Sequence, residues 1–400
     1  MTEPQPMAGV RVLDLATFIA APFTATILGE FGAEVIKVEQ PGSGDPMRKF
    51  GTATELPDSS LAWLSEARNK QSITLNLKAP QGVDLFKRLV AQTDVLCENF
   101  RPGTLEKWGL GYDVLRAINP KLVMLQVSGY GQDGPYRDRP GFARIAHAVG
   151  GLTYLAGMPG EAPVTPGSTS LADYISGLFG AIGVLMALRS VEQTGQGQTV
   201  DVALFESIFR VLDELAPVYA KHGTVREREG LGTRNVCPHG HFPTKDGEWV
   251  AVACTSDKIW DRMARNVLDR PDLADSHPTA ADRVADRDLI DGAVRNFTLA
   301  NPSAEVVAIC AGGEVPCATI NSIADIFADP QFDARGTLHR MQHALLGEVV
   351  VPDVLPRLSG TPGTIENLGP ALGNWNDEVY GKRLGLSPSE REELQKNGVI

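Results

Sequence analysis

Cysteine is scarce in this chain and follows no pattern. Cys97, Cys237, Cys254, Cys310 and Cys317 are its five cysteines, spread over 400 residues without a C-x-x-C. That argues against a disulfide framework and fits reduced thiols in a cytoplasmic protein. Positive charge is short as well: 37 Lys and Arg against 49 Asp and Glu leave a net charge of −12. Sequence-independent nucleic-acid binding needs the opposite balance. The apolar run Ile175–Leu188 carries no charge, yet it is too short to span a bilayer and reads as a buried helix. No segment reaches transmembrane length, and Met1-Thr2-Glu3-Pro4-Gln5-Pro6 has neither a basic nor an apolar stretch, so no secretory signal is expected.

Several signatures of chemistry are missing. The first strand is followed by Ala16-Thr17-Phe18-Ile19-Ala20-Ala21-Pro22, not G-x-G-x-x-G. No phosphate loop and no G-x-S-x-G elbow occurs, which disfavours P-loop and α/β-hydrolase chemistry. His239-Gly240-His241 reads as a loop pair without a third ligand, so no metal is expected.

What is present is a repeating β-α-β rhythm. Strand patterns at 9–15, 33–39, 72–77, 94–98, 122–127 and 199–204 alternate with helical ones at 22–29, 80–91, 105–109, 112–118 and 206–219. Such alternation predicts an α/β sheet covered on both faces. The charged stretch 221–233 reads as a linker, and Lys245-Asp246-Gly247 between two β runs as a hairpin turn. The expected domains are a large α/β domain at 1–220, a smaller α+β domain at 221–329, and a segment at 330–400 returning to the large one. The last ends in a helix capped at Ser387.

Asp173 is the leading functional candidate. It follows the small-residue turn Pro166-Gly167-Ser168-Thr169-Ser170 and opens the apolar helix. Ser170 and Asp173 also fit an S-x-x-D cap, so a purely structural role stays open. A second constellation lies at strand ends, where open α/β sheets bind ligands. It comprises the loop Glu39–Asp45, then Leu75-Asn76-Leu77-Lys78, then Glu98-Asn99-Phe100-Arg101-Pro102-Gly103. Lys78, Arg101 and Lys107 would suit phosphates, and Phe100 a flat ring. Separate solvated charges are the competing reading. His147 reads as a helix-packing residue and Cys97 as core.

Together these segments resemble the family III CoA-transferases (the CaiB/BaiF family), essentially end to end. The likeness runs through Leu13-Asp14-Leu15, Phe31–Glu39, the Gly-Ser-Gly-Asp loop, Arg68–Lys78, Glu98–Gly103, Thr194–Gln198 and the terminal Gly-Leu-Ser helix. It implies a Rossmann-like large domain with an inserted smaller α+β domain, and a homodimer whose chains interlock. It puts the catalytic aspartate at Asp173, a nucleophile that carries first an acyl group and then CoA. It implies coenzyme A contacts at Ile19, Ala20, Gln40, Leu75, Asn76, Leu77, Lys78, Asn99, Phe100, Arg101, Lys107 and Phe142. Acyl-CoA and a carboxylic acid are the substrates, with no permanently bound cofactor and no metal.

The chain departs from parts of the family. Oxalate-using members have Gln and Arg where this chain has Ile19 and Gln40, and a Gly-rich lid absent near His239-Gly240. Racemases of the fold have a His where this chain has Phe142, which cannot shuttle a proton. The stretch Phe142–His147 with Leu152–Gly157 resembles transferases of succinyl-CoA and small dicarboxylic acids. Arg144, Arg68 and His147 are the candidates to meet a distal carboxylate. An acyl-CoA racemase or epimerase, and a non-catalytic CoA-binding protein, are the alternatives.

Overall fold

A computed structural model describes residues 5–400. The N-terminal reading rests mostly on Met1–Pro4, which lie outside the described residues. The chain divides into two compact units. The first takes residues up to Leu152, Gly167–Asp213 and Ala334–Ile400; the second takes Thr153–Pro166 and Glu214–Asp333. The second unit therefore begins before the charged stretch at Lys221 and also takes a piece from within 1–220.

The first unit is built on a parallel sheet of six strands, β1 (Arg11–Asp14), β2 (Glu34–Glu39), β3 (Lys70–Thr74), β4 (Val95–Glu98), β5 (Val123–Ser128) and β6 (Thr199–Ala203). Their order is β3-β2-β1-β4-β5-β6. The direction of winding reverses between β1 and β4, so the loops after these two strands diverge and leave a crevice. β4 and β5 are buried along their whole length, as strands covered on both faces must be. Helix α1 (Ala20–Glu30) returns from β1 to β2, and α2 (Pro80–Val90) connects β3 to β4.

Three predicted boundaries move. β3 ends at Thr74, not Leu77. The C-terminal segment intervenes there: Thr74 N–H donates to Asn376 Oδ1 at 2.9 Å, Asn76 N–H to Val399 O at 2.8 Å, and Tyr380 hydroxyl to Thr74 O at 2.7 Å. Leu75 N–H still donates to Glu39 O at 2.7 Å, and the ladder ends there because Glu39 is the last residue of β2. The helix predicted at 206–219 is broken into Leu204–Phe209 and Leu215–His222. The apolar helix runs from Leu171 to Thr194, 24 residues, which corrects the shorter reading. By length and composition it is apolar enough to cross a membrane. In the structure it packs on α1 through a seam of small residues, Ala172, Ser176, Gly177, Gly180 and Ala181. Thr24 hydroxyl donates to Gly177 O at 2.7 Å across that seam.

The second unit has an antiparallel sheet of order β10-β9-β8-β7, with β7 at Gly232–Thr233, β8 at Val236–Pro243, β9 at Trp249–Ala253 and β10 at Cys317–Thr319. The Asp-Gly turn joins β8 to β9, with Pro243 opposite Trp249. His239 and His241 lie on β8, not in a loop. A hairpin, β11 (Leu338–His343) and β12 (Gly347–Pro352), belongs to the first unit and has no counterpart in the sequence reading.

Candidate active site

The strand ends of the first unit rest on buried ions. Lys37 Nζ is 2.7 Å from Asp45 Oδ2 and 3.5 Å from Asp14 Oδ2, and Lys70 Nζ is 2.8 Å from Asp14 Oδ2. Burial pushes the Lys37 ammonium down, but Asp14 and Asp45 outweigh it and the net shift is upward. Lys70 goes the other way: burial lowers it and Asp14 only partly compensates. Glu39 accepts from Arg48 Nε at 2.6 Å and Nη2 at 2.7 Å, from Ser72 at 2.5 Å and from Asp45 N–H at 2.9 Å. Paired and hydrogen-bonded, these buried charges tolerate the loss of water.

This lattice shapes the loop after β1. Asp45 Oδ1 accepts Phe18 N–H at 3.1 Å and Met47 N–H at 2.8 Å. Phe18 is held at φ 61°, a left-handed conformation uncommon for a bulky residue. Asn99, at the end of β4, straps the two diverging loops together. Its Oδ1 accepts Thr17 N–H at 2.8 Å and its Nδ2 donates to Thr17 O at 2.7 Å. Its amide is therefore committed to the backbone.

A cavity of about 500 Å3 opens in this crevice, lined by Phe18, Ile19, Ala20, Asn99, Phe100, Arg101, Phe142 and Asp173, together with Arg137, Arg139 and Arg144. Gly129 and Gly141 form part of its wall. A Cβ on Gly129 would stand 2.9 Å from Gly141 Cα, so only glycine lets these two loops cross. A second hollow of about 130 Å3 is lined by Gln40, Leu75, Leu77, Lys78 and Trp108. Thr17 and Phe100 border both. Asn76 and Lys107 line neither. Asn76 instead accepts Lys78 N–H at 3.1 Å and donates to Gly398 O at 3.3 Å.

Asp173 enters the larger cavity from the first turn of the apolar helix. Burial raises its carboxyl to about 6. The S-x-x-D cap is absent: Ser170 makes no side-chain cap hydrogen bond. The first-turn N–H of Ala172 donates to His147 Nε2 at 3.0 Å instead. His147 stands on the helix Ala143–Val149 and is 1% exposed. Burial, and then Arg144, lower its proton affinity. Arg68 is out of the running as a substrate contact, because its Nε donates to Glu30 at 2.7 Å inside the core. Arg137 and Arg139, which sequence reasoning missed, carry no motif; only the folding of their loop over the crevice brings them in.

A family model described as CoA-transferase family III matches residues 7–376. The chain is 53% identical over 400 residues to the alpha subunit of a succinyl-CoA--L-malate CoA-transferase of Chloroflexus aurantiacus, covering 100% of this chain and 93% of the relative. It is 55% identical to a beta subunit of the same name, over 100% of this chain and 99% of that one. A human succinyl-CoA:glutarate CoA-transferase is 32% identical over 100% of this chain and 91% of its own. Among solved structures, a CAIB/BAIF family protein from Brucella suis matches with a TM-score of 0.83 at 32% identity, covering 95% of this chain and 100% of that chain.

Proposed function

The chain belongs to CoA-transferase family III, and from that premise we propose that it moves CoA from succinyl-CoA to a small dicarboxylic acid, with Asp173 as covalent nucleophile. One observation carries the mechanism. A cavity at the strand-end switch point is bordered by a carboxylate and by four arginines, two of which, Arg101 and Arg144, are unpaired among the described residues. The relatives named for succinyl-CoA with malate or glutarate support the substrate class.

The Asp173 carboxylate attacks the thioester carbonyl of succinyl-CoA. The C–S bond breaks, giving an aspartyl–succinyl anhydride and CoA thiolate. The thiolate attacks the aspartyl carbonyl and releases succinate, leaving an aspartyl-CoA thioester. The acceptor carboxylate attacks that thioester and regenerates the thiolate, with a new anhydride. Attack of the thiolate on the acceptor's carbonyl yields the product and frees Asp173. A carboxyl raised only to about 6 is mostly ionised at neutral pH. Coenzyme A lies with its phosphates toward Lys78 and Arg101 and its thiol end toward Asp173; Phe100, bordering both hollows, lies along the path.

The proposal includes a cytoplasmic location and a homodimer of interlocked chains. The apolar helix supports the dimer: opposite its packed seam, Leu178, Ile182, Leu185 and Met186 are exposed, Met186 at 69%. A helix apolar all round calls for cover on both faces. A monomeric protein in light scattering rules the dimer out.

The mechanism is tested by incubating the protein with succinyl-CoA, trapping with hydroxylamine and locating the adduct by mass spectrometry. A hydroxamate at residue 173, absent from Asp173→Asn, is expected. Full transfer activity in Asp173→Asn rules the mechanism out.

A further inference from the structure

Four arginines border the cavity that holds Asp173, and their surroundings differ. The Arg139 guanidinium lies 3.6 Å from the centre of the Tyr136 ring. Arg137 is 3.7 Å from the carboxylate of its neighbour Asp138. Arg101 and Arg144 have no ion pair and no side-chain hydrogen bond among the described residues. Arg101 follows Phe100 at the mouth shared by the two hollows, where the phosphates of the carrier are placed.

Arg144 sits differently. It lies three residues before His147 on the same short helix, hence on the same face. Its charge is felt at His147, whose Nε2 holds the N–H of Ala172 next to Asp173. Arg144 thus stands one helical turn from the anchor of the nucleophile's helix. No ion pair joins it to Asp173 among the described residues, and burial raises that carboxyl. The guanidinium is exposed, unpaired and on the nucleophile's cavity wall.

We propose that Arg144 binds the carboxylate that does not react, the distal one of a dicarboxylic acid, and so selects dicarboxylates over monocarboxylates. This rests on the substrate class proposed above. A planar guanidinium fork takes a carboxylate through two parallel hydrogen bonds, which fixes direction as well as charge. The donor acyl group and the acceptor occupy the site in turn, so one arginine serves both. Arg68, buried against Glu30, and His147, buried and not bordering the cavity, leave that part to Arg144.

The test uses the full chain with succinyl-CoA as donor, and malate or butyrate as acceptor. The readout is the ratio of kcat/KM for malate to that for butyrate. Arg144→Gln is expected to lower this ratio about 100-fold, chiefly through the KM for malate, since a hydrogen bond to a charged group contributes roughly two tenfold steps. Arg144→Lys, which keeps the charge without the fork, should recover part of the loss. The side chain is exposed and unpaired, so neither change threatens folding. A wild-type enzyme that prefers malate, with a ratio unchanged in Arg144→Gln, overturns the role of Arg144 alone. A wild-type enzyme that prefers butyrate overturns the substrate class and this role with it.

Discussion

His147 Nε2 accepts the backbone N–H of Ala172 at 3.0 Å, which ties the helix Ala143–Val149 to the first turn of the helix that carries Asp173. An accepting nitrogen implies a neutral ring with its proton on Nδ1, a tautomer assigned from the hydrogen bond. Protonation would turn the acceptor into a donor facing a donor.

Loss of that anchor should weaken the fold at the site. His147→Ala leaves a buried N–H without a partner, at a cost of about 1–3 kcal/mol. It should slow acylation of Asp173 more than it weakens acyl-CoA binding. The folded ring has its pKa below 6.5, so between the two values the unfolded chain binds more protons. The stabilisation is full above pH 6.5 and is lost as pH falls through the folded value. Urea unfolding of wild type should therefore decline more steeply on acidification than that of His147→Gln. Parallel curves would show that the contact contributes nothing.

Asp173 has the reverse sign. Its folded carboxyl titrates at about 6 against 3.8, so its protonated form suits the fold and stability is lost as pH rises through about 6. Asp173→Asn should abolish transfer yet stabilise the protein at pH 8, on the order of 1–3 kcal/mol. In wild type, the single-turnover acylation rate should climb with a midpoint near pH 6. A flat profile between pH 5 and 7 would exclude the carboxylate as attacking group.

Gly177→Ala sets propensity against packing. Ala is favoured in a helix by about 1 kcal/mol. Here its Cβ would stand 2.7 Å from Ala20 O and 2.9 Å from Phe23 Cδ1. Backbone cannot yield as a flexible side chain can, so overpacking should win, with a net loss of roughly 1–3 kcal/mol. Calorimetry should show a lower Tm, and acylation should slow because the clash lies one turn from Asp173.

Lys37→Met should be among the most damaging changes outside the cavity. It leaves Asp45 without its cation and Asp14 with only Lys70. Breaking a buried ion pair from one side costs about 3–5 kcal/mol. Asp45 also holds the Phe18 turn, so acyl-CoA binding should weaken in whatever protein folds. A double change, Lys37→Met with Asp45→Asn, should recover part of the stability in urea titrations.

Two similar sequence patterns met different fates. Ser387 and Glu390 form the predicted capping box at the exposed C-terminal helix, where only water competes for the first-turn N–H groups. Ser170 and Asp173 do not: the Asp173 N–H donates to the Ser170 backbone oxygen at 2.9 Å, its carboxylate lines the cavity, and His147 takes the Ala172 N–H from another helix. A local pattern holds where nothing tertiary competes. β3 stops for a different reason: Leu75 N–H donates to Glu39 O, the last residue of β2, and among the described residues no partner strand continues beyond it, while Asn376, Tyr380 and Val399 take up groups of Thr74 and Asn76.

Alternating apolar strands and amphipathic helices determined, by themselves, the parallel sheet, the Asp-Gly hairpin and the place of Asp173 in a helix's first turn. The hairpin and the first-turn position are interactions between near neighbours, and the sheet follows from strand and helix periods written in the residues. Tertiary structure alone decided that Asn99 is spent as a strap, that Arg68 is lost to Glu30, and that Arg137, Arg139 and Arg144 gather around the nucleophile. Each depends on residues separated in the chain meeting in space, Asn99 with Thr17 across the crevice between β1 and β4 and Arg68 with Glu30 inside the core, and no spacing in the sequence encodes that meeting.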